Sequence, residues 1–343
     1  MAQWKLMGTT ALAALISGNA ALAEVTPEDV WAMWQDLSAS YGQTITAEGE
    51  TRDGDTLLIT GLTVAMDEDE VQVDVTIDEV AFRDLGDGSV EVTMSDEYPM
   101  NITVTEPESD TPTEIEIMIS HPGLALTVSG AAEEMRIDYA APELNVALAE
   151  VNGVDADKVD LAVDVALTGV AGSSIMKGTT DKVNSGTFAA ESVGFNVTAK
   201  NAETGGDFSM TGALADLTGS STNSVVADMD MSDMAAALKA GFATEAAFAY
   251  GKGDYSFNFA EGEQTMQGVG SAESGNLSIV MNKDRLGYGG GANGVSMTMS
   301  GSEMPFPELK ISYAESAFNF LMPISKADAP GEFALLTRIT DFA

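Results

Sequence analysis

The chain has 343 residues, 45% of them hydrophobic, enough to bury one large core or two moderate ones, and this excludes a disordered polypeptide. Its formal charge of −39 comes from 54 acids against 15 bases, a field that disfavours nucleic-acid binding and electrostatic attraction to an acidic membrane. The absence of cysteine removes disulfides, thiolate nucleophiles and cysteine-bound metal centres, and a single histidine removes every mechanism that needs two imidazoles.

Residues 1–23 have the layout of a secretory signal peptide: Lys5 in a short n-region, an apolar stretch from Ala11 to Ile16, and Ala21-Leu22-Ala23 before the expected cut at Glu24. The apolar part is too short for a bilayer anchor. Nothing downstream approaches the ~18 consecutive apolar residues of a membrane span. A periplasmic protein with no transmembrane segment in its mature chain is expected.

Thr26-Pro27-Glu28-Asp29 is a helix start, with a capping threonine, a proline in the first turn and two acids at the positive end of the dipole. Val30, Met33, Trp34, Leu37 and Tyr41 follow at spacings of three and four and give the helix one apolar face. That face is expected to plug or cover an open end of a sheet.

From Thr44 onward the period is two. Leu57-Leu58-Ile59 runs into Gly61, Leu62-Thr63-Val64 follows, and Asp67-Glu68-Asp69-Glu70 reads as a solvated turn. In Val71-Gln72-Val73-Asp74-Val75-Thr76-Ile77-Asp78 every odd position is β-branched and every even one polar, the pattern of a strand with one dry face. Leu85-Gly86-Asp87-Gly88 signals a hairpin. Ile102/Val104, Ile115/Ile117/Ile119, Leu124/Leu126/Val128, Met135/Ile137/Tyr139, Leu144/Val146/Leu148 and the run Val159 to Leu167 repeat the theme, predicting antiparallel neighbours joined by short turns.

Near Gly169 the composition changes. Residues 24–170 hold 34 acids and four bases, residues 171–343 hold 20 and 10, and in the second region glycine, serine, aromatics and methionine rise. Two regions, 24–170 and 171–343, are therefore distinguished, and the second is expected to continue the sheet of the first. Ser232 to Gly241 carries an N-cap, an early acid, a late base and a terminal glycine, which predicts one short helix. Phe333/Leu335/Thr337/Ile339 alternates almost to Ala343, an unprotected edge from which a chain stopping short of a complete fold is expected.

Motifs that could carry chemistry are sparse. His121 sits in Ser120-His121-Pro122-Gly123 between two strands, and no motif supplies it with a nucleophile or an orienting partner. Ser174-Ile175-Met176-Lys177 matches S-x-x-K but lies in a Gly/Ser-rich stretch expected to be a loop, without the companion motifs of serine acyl-enzymes. Gly289 to Gly294 satisfies G-x-G-x-x-G formally. With Val295 opening a strand rather than a helix, it reads as a flexible hairpin. Asp155-Ala156-Asp157 opens like a calcium loop, but Val159 and Asp160 stand where a ligand and a glycine belong, and the carboxylates of Asp67 to Glu70 alternate in direction. No catalytic, cofactor-binding or metal-binding residue is assigned, no cofactor is expected, and the 19 methionines read as adaptable filler.

Val25-Thr26-Pro27-Glu28-Asp29-Val30-Trp31, Gly49 to Leu57 and Phe318-Asn319-Phe320-Leu321-Met322-Pro323 resemble the uncharacterised exported Gram-negative bacterial proteins of domain of unknown function twenty-one twenty-five. The resemblance spans most of the mature chain. It implies an envelope protein with no assigned activity or site, and family members that run past the position matching Ala343. A looser similarity to the long β-sheet groove proteins of the envelope, which shelter lipid, is one of fold alone.

The expectation is therefore an all-β protein: an elongated antiparallel sheet or partly open barrel or groove, with one N-terminal α-helix and one short internal helix. It is not expected to be an enzyme. Its function is expected to be the binding of an apolar or amphipathic, lipid-like ligand on a concave face lined by Met, Phe and Tyr of the second region. The competing expectation is a structural or assembly protein that buries that face against a partner or, as a homo-oligomer, against itself.

Overall fold

Period-two alternation builds nearly every element of the structure, a computed structural model that describes residues 24–67, 70–105, 111–153, 158–178, 181–226, 233–324 and 333–343. The expected signal peptide, Asp155 and Asp157 lie outside the described residues, as do Glu68 and Asp69 of the acidic run. Helix α1 (Pro27–Ser40) starts in a capping box: the Asp29 N–H donates to Thr26 Oγ1 at 3.2 Å and the Thr26 N–H donates to Asp29 Oδ2 at 3.0 Å. Strands β1 (Thr44–Thr46) and β2 (Gly49–Asp53) both pair with β3 (Thr56–Asp67), and β3 pairs with β4 (Val71–Asp84).

Beside β4 the next layer is split. Strand β5 (Ser89–Met94) flanks one half of β4 and β6 (Glu97–Val104) the other; β7 (Thr113–Ser120) then pairs with β6, and β8 (Ala125–Ala131) with β5. Strand β9 (Glu134–Asn152) spans both halves and is followed by β10 (Val159–Lys177), β11 (Lys182–Asn201) and β12 (Asp207–Val225). After α2 (Met234–Ala240), β13 (Ala243–Tyr250) and β14 (Lys252–Glu261) share the flank of β12. Strands β15 (Gln264–Ala272) and β16 (Ser274–Met281) pair with β14 and β13, and β17 (Arg285–Gly301), β18 (Leu309–Pro323) and β19 (Ala334–Thr340) complete the sheet. The nineteen strands of the described residues form one large antiparallel sheet with a partly ring-like region, not a closed barrel.

Several breaks expected from glycine and proline do not occur. Strand β3 runs through Gly61, β9 through Pro142 and β10 through Gly169, so the composition boundary at 170/171 falls inside a strand. Gly289 to Gly294 is the middle of β17, not a hairpin, and Ser174 to Lys177 is the end of β10, not a loop. The reason is one feature repeated across the sheet. Gly61, Gly169, Asp216 and Gly294 have φ of +57°, +59°, +54° and +57°, and the ladders skip these positions without changing register. A left-handed residue rotates the chain, so side chains three apart, rather than two, face the same side. Buried Ile59 is thus followed by buried Leu62, and on the facing strand β4, which follows the same bend, buried Ile77 is followed by buried Val80.

These positions align from strand to strand and form a crease. Inside it, Ala141, Val170, Ala190 and Leu217 make one buried cluster with Leu144, Leu167, Val193 and Leu214 from the other side of the bend. Outside it, Glu48 lies over Gly61, Glu191 over Gly169 and Glu273 over Gly294, each within 2.5 Å of where a Cβ would stand.

The larger core lies where the first strands curl around α1. Val30, Trp31 and Met33 pack with Ile59, Phe82, Val92, Val128 and Met176, and Trp34 meets Phe82 edge-on at 5.2 Å. The expected cover of an open sheet is thus present, with Trp31 buried in it while Tyr41 stays exposed. In α2, Asp233 is the cap, Asp233 Oδ1 accepting from the Ala236 N–H at 3.0 Å, and Gly241 ends the helix.

Candidate functional site

Beyond the reach of α1 the two faces of the second region are chemically distinct. Glycines are interspersed with large apolar side chains along the apolar face: Phe188 faces Gly219, Gly219 faces Phe248, Phe248 faces Leu277, Leu277 faces Gly290 and Gly290 faces Phe318. Glycine there lets the neighbouring ring lie flat along the sheet, as Phe318 does over Gly290. Toward β19 this face is open. Leu277, Tyr288, Phe318, Met322, Phe333 and Leu335 are between 40% and 69% exposed. Leu336 and Arg338 alternate with Leu335, Thr337 and Ile339, so β19 shows apolar side chains on both faces, and its outer edge is unpaired among the described residues.

The opposite face is lined mainly by small and hydroxylated side chains, with Ile175, Val280 and Leu321 among them. One cross-strand row runs Thr127, Asp138, Ser173, Thr187, Ser220, Ala247, Ser278, Gly289, Asn319, each directly opposite the next. A parallel row two residues along contains Ser129, Arg136, Ile175, Ser185, Thr222 and Glu245. Between these rows lies a groove of about 640 Å³ over β10–β13 and β16–β18. A second groove of about 660 Å³ over β5, β8 and β9 shares Ile175 with it, so the two form one trough across the sheet. The Met, Phe and Tyr side chains expected to line a concave site alternate onto the other face. The hydroxyl rows have no local signature in the sequence, because only pairing register brings residues such as Thr187 and Ser220 together; the one signal is the recurrence of Ser and Thr in the polar phase of several strands.

His121 occupies the bend between β7 and β8, where its N–H donates to the Asp96 carbonyl at 2.8 Å. The ring is 2% exposed, neither nitrogen has a hydrogen-bond partner among the described residues, and the Tyr98 ring stands edge-on at 5.3 Å. Burial pushes the Tyr98 phenol above its ordinary pKa. Ser174 and Lys177, three apart in a strand, are directed to opposite faces. The Ser174 hydroxyl donates to Asn184 and Lys177 pairs with Glu134 at 3.0 Å, which leaves no serine–lysine couple.

A smaller cavity of about 170 Å³ lies between α1 and β11, lined by Met33, Met135, Met176 and the buried Lys182. Lys182 Nζ donates to Ser40 Oγ at 3.5 Å and lies 3.9 Å from Asp36. Among the described residues no group of three or more His, Asp or Glu could hold a metal ion. No helix is long and apolar enough to cross a membrane, which says nothing of strands. Comparison with protein families, curated proteins and solved structures finds no match to this chain.

Proposed function

We propose that this chain is a non-catalytic, exported envelope protein that binds an apolar or amphipathic, lipid-like ligand on the open apolar face of β16–β19. The observation that carries this reading is the contiguous exposure of Leu277, Tyr288, Phe318, Met322 and Leu335 on one face of a sheet that elsewhere covers the same face with α1. Apolar area left in water costs about 25 cal/mol per Å², so an occupant of that face is stabilised by the transfer alone. Export to the periplasm is proposed from the signal-like residues 1–23, and the burial of Val25 directly after the proposed cut supports it. Membership of the family of domain of unknown function twenty-one twenty-five is likewise a proposal, resting on the stretches quoted above.

Native mass spectrometry after gentle purification, followed by titration with a fluorescent fatty acid, tests the reading. Bound lipid, and probe binding weakened at least tenfold by Phe318→Asp, is the expected result. A ligand-free protein that ignores the probe overturns it. A second reading, assembly through the same region, is favoured by β19, where Leu335 and Leu336 are 62% and 67% exposed on opposite faces. Concentration-dependent dimers in sedimentation that Leu336→Lys abolishes would establish assembly instead.

A further inference from the structure

We propose that the trough on the hydroxylated face is a second binding site, for a linear oligosaccharide of low charge that places one carboxylate or phosphate at Arg285. Across β5 to β18 the trough extends roughly 40 Å at ~4.8 Å per strand. Ser or Thr lines it on β5, β8, β10, β11, β12 and β16, with Ala247, Gly289 and Asn319 on β13, β17 and β18, and the strand spacing is close to the rise of one sugar ring in an extended glycan. Ser173 Oγ and Thr187 Oγ1 pair at 3.4 Å and Ser278 Oγ donates to the Gly289 carbonyl at 3.3 Å, whereas the Ser220 and Thr222 hydroxyls have no protein partner among the described residues and can both donate and accept, which suits a polyol. Ala247, Gly287 and Gly289 keep the groove open where larger side chains would fill it.

Charge selects the acid group and its number. Among the described residues Arg52, Arg83, Arg136 and Arg338 each hold a carboxylate, whereas Arg285, which lines the trough, holds none. A free guanidinium in a chain of charge −39 is a fork for one carboxylate or phosphate. Glu245 in the same groove and Asp87 and Glu134 in the adjoining one repel a ligand that is acidic along its length. The ligand is thus a chain of neutral sugars with a single anionic group.

Calorimetry on the mature protein with maltohexaose, cellohexaose and chitohexaose, each as the neutral sugar and as its aldonate, tests the site. At least one aldonate is expected to bind at least tenfold tighter than its neutral parent and than the corresponding disaccharide aldonate. Arg285→Gln should erase the preference for the aldonate, and Ser220→Leu with Ser278→Leu should weaken both forms at least tenfold. Inorganic phosphate competing as well as the best aldonate would show an anion site without a glycan site and overturn the proposal. So would the absence of heat from all six sugars at millimolar concentration, or an unchanged aldonate affinity in Arg285→Gln. Phe318→Asp, on the opposite face, should leave sugar binding intact, so failure here is separable from failure of the lipid reading.

Discussion

The Glu191 side chain on β11 lies over the bare α-carbon of Gly169 on β10, its Cγ 2.5 Å from the place a Cβ would take. Gly169 is left-handed, at φ +59°, so an alanine there meets both the conformational penalty of about 1–2 kcal/mol and a clash with Glu191. Gly169→Ala should lower stability by more than that penalty in urea denaturation. Adding Glu191→Ala should recover the steric part and leave the conformational part. Full recovery in the double variant would mean that the left-handed geometry contributes nothing.

The phase slip at this crease is present in the residues but has the composition of strand punctuation. Leu161, Val163, Val165 and Leu167 are odd-numbered, whereas the first buried residue of β10 is Val170; in β12 Leu214 is followed by Leu217. Gly61, Pro142 and Gly169 carry the composition of turns, so each slip suggested the end of one strand and the start of another. What distinguishes a kinked long strand from two short ones is the neighbour's ladder, and pairing partners far apart in sequence have no local signature. Alternation, α1 with its capping box and α2 were readable because their causes lie within a few residues. The burial of His121 and the rows that line the trough depend on register alone.

Lys182 supplies α1 with a base that its own last turn lacks. From 142 positions away its ammonium reaches Ser40 Oγ at the negative end of the helix, while Asp36 is largely exposed and adds little. Lys182→Met keeps the apolar stem and should cost about 1 kcal/mol or less, whereas Lys182→Ala also opens space beside Met135 and Met176 and should cost about 2 kcal/mol more. Equal losses in thermal melts would show that the charge, not the packing, dominates.

The buried His121 ring makes no hydrogen bond through either nitrogen among the described residues, so its polar atoms are desolvated without return. His121→Phe preserves the edge-on contact with Tyr98 and removes the orphaned nitrogens. It should raise stability by about 1 kcal/mol. His121→Ala should instead lose about 2–3 kcal/mol through the cavity it leaves. A destabilised phenylalanine variant would point to a hydrogen bond to the imidazole in solution.

Burial raises the phenol pKa of both Tyr98 and Tyr139 above the ordinary value of about 10. The folded protein therefore holds these protons at a pH where the unfolded chain has begun to release them. Below about pH 10 both states are neutral at these positions and stability is unaffected. As pH rises from there toward the folded-state values, unfolding is favoured because only the unfolded chain ionises freely. Melting temperatures measured from pH 8 to pH 11 should fall above about pH 10, and the fall should be shallower in Tyr98→Phe and shallower still with Tyr139→Phe added. A decline unchanged in the double variant would show that the burial of these two phenols does not drive alkaline unfolding.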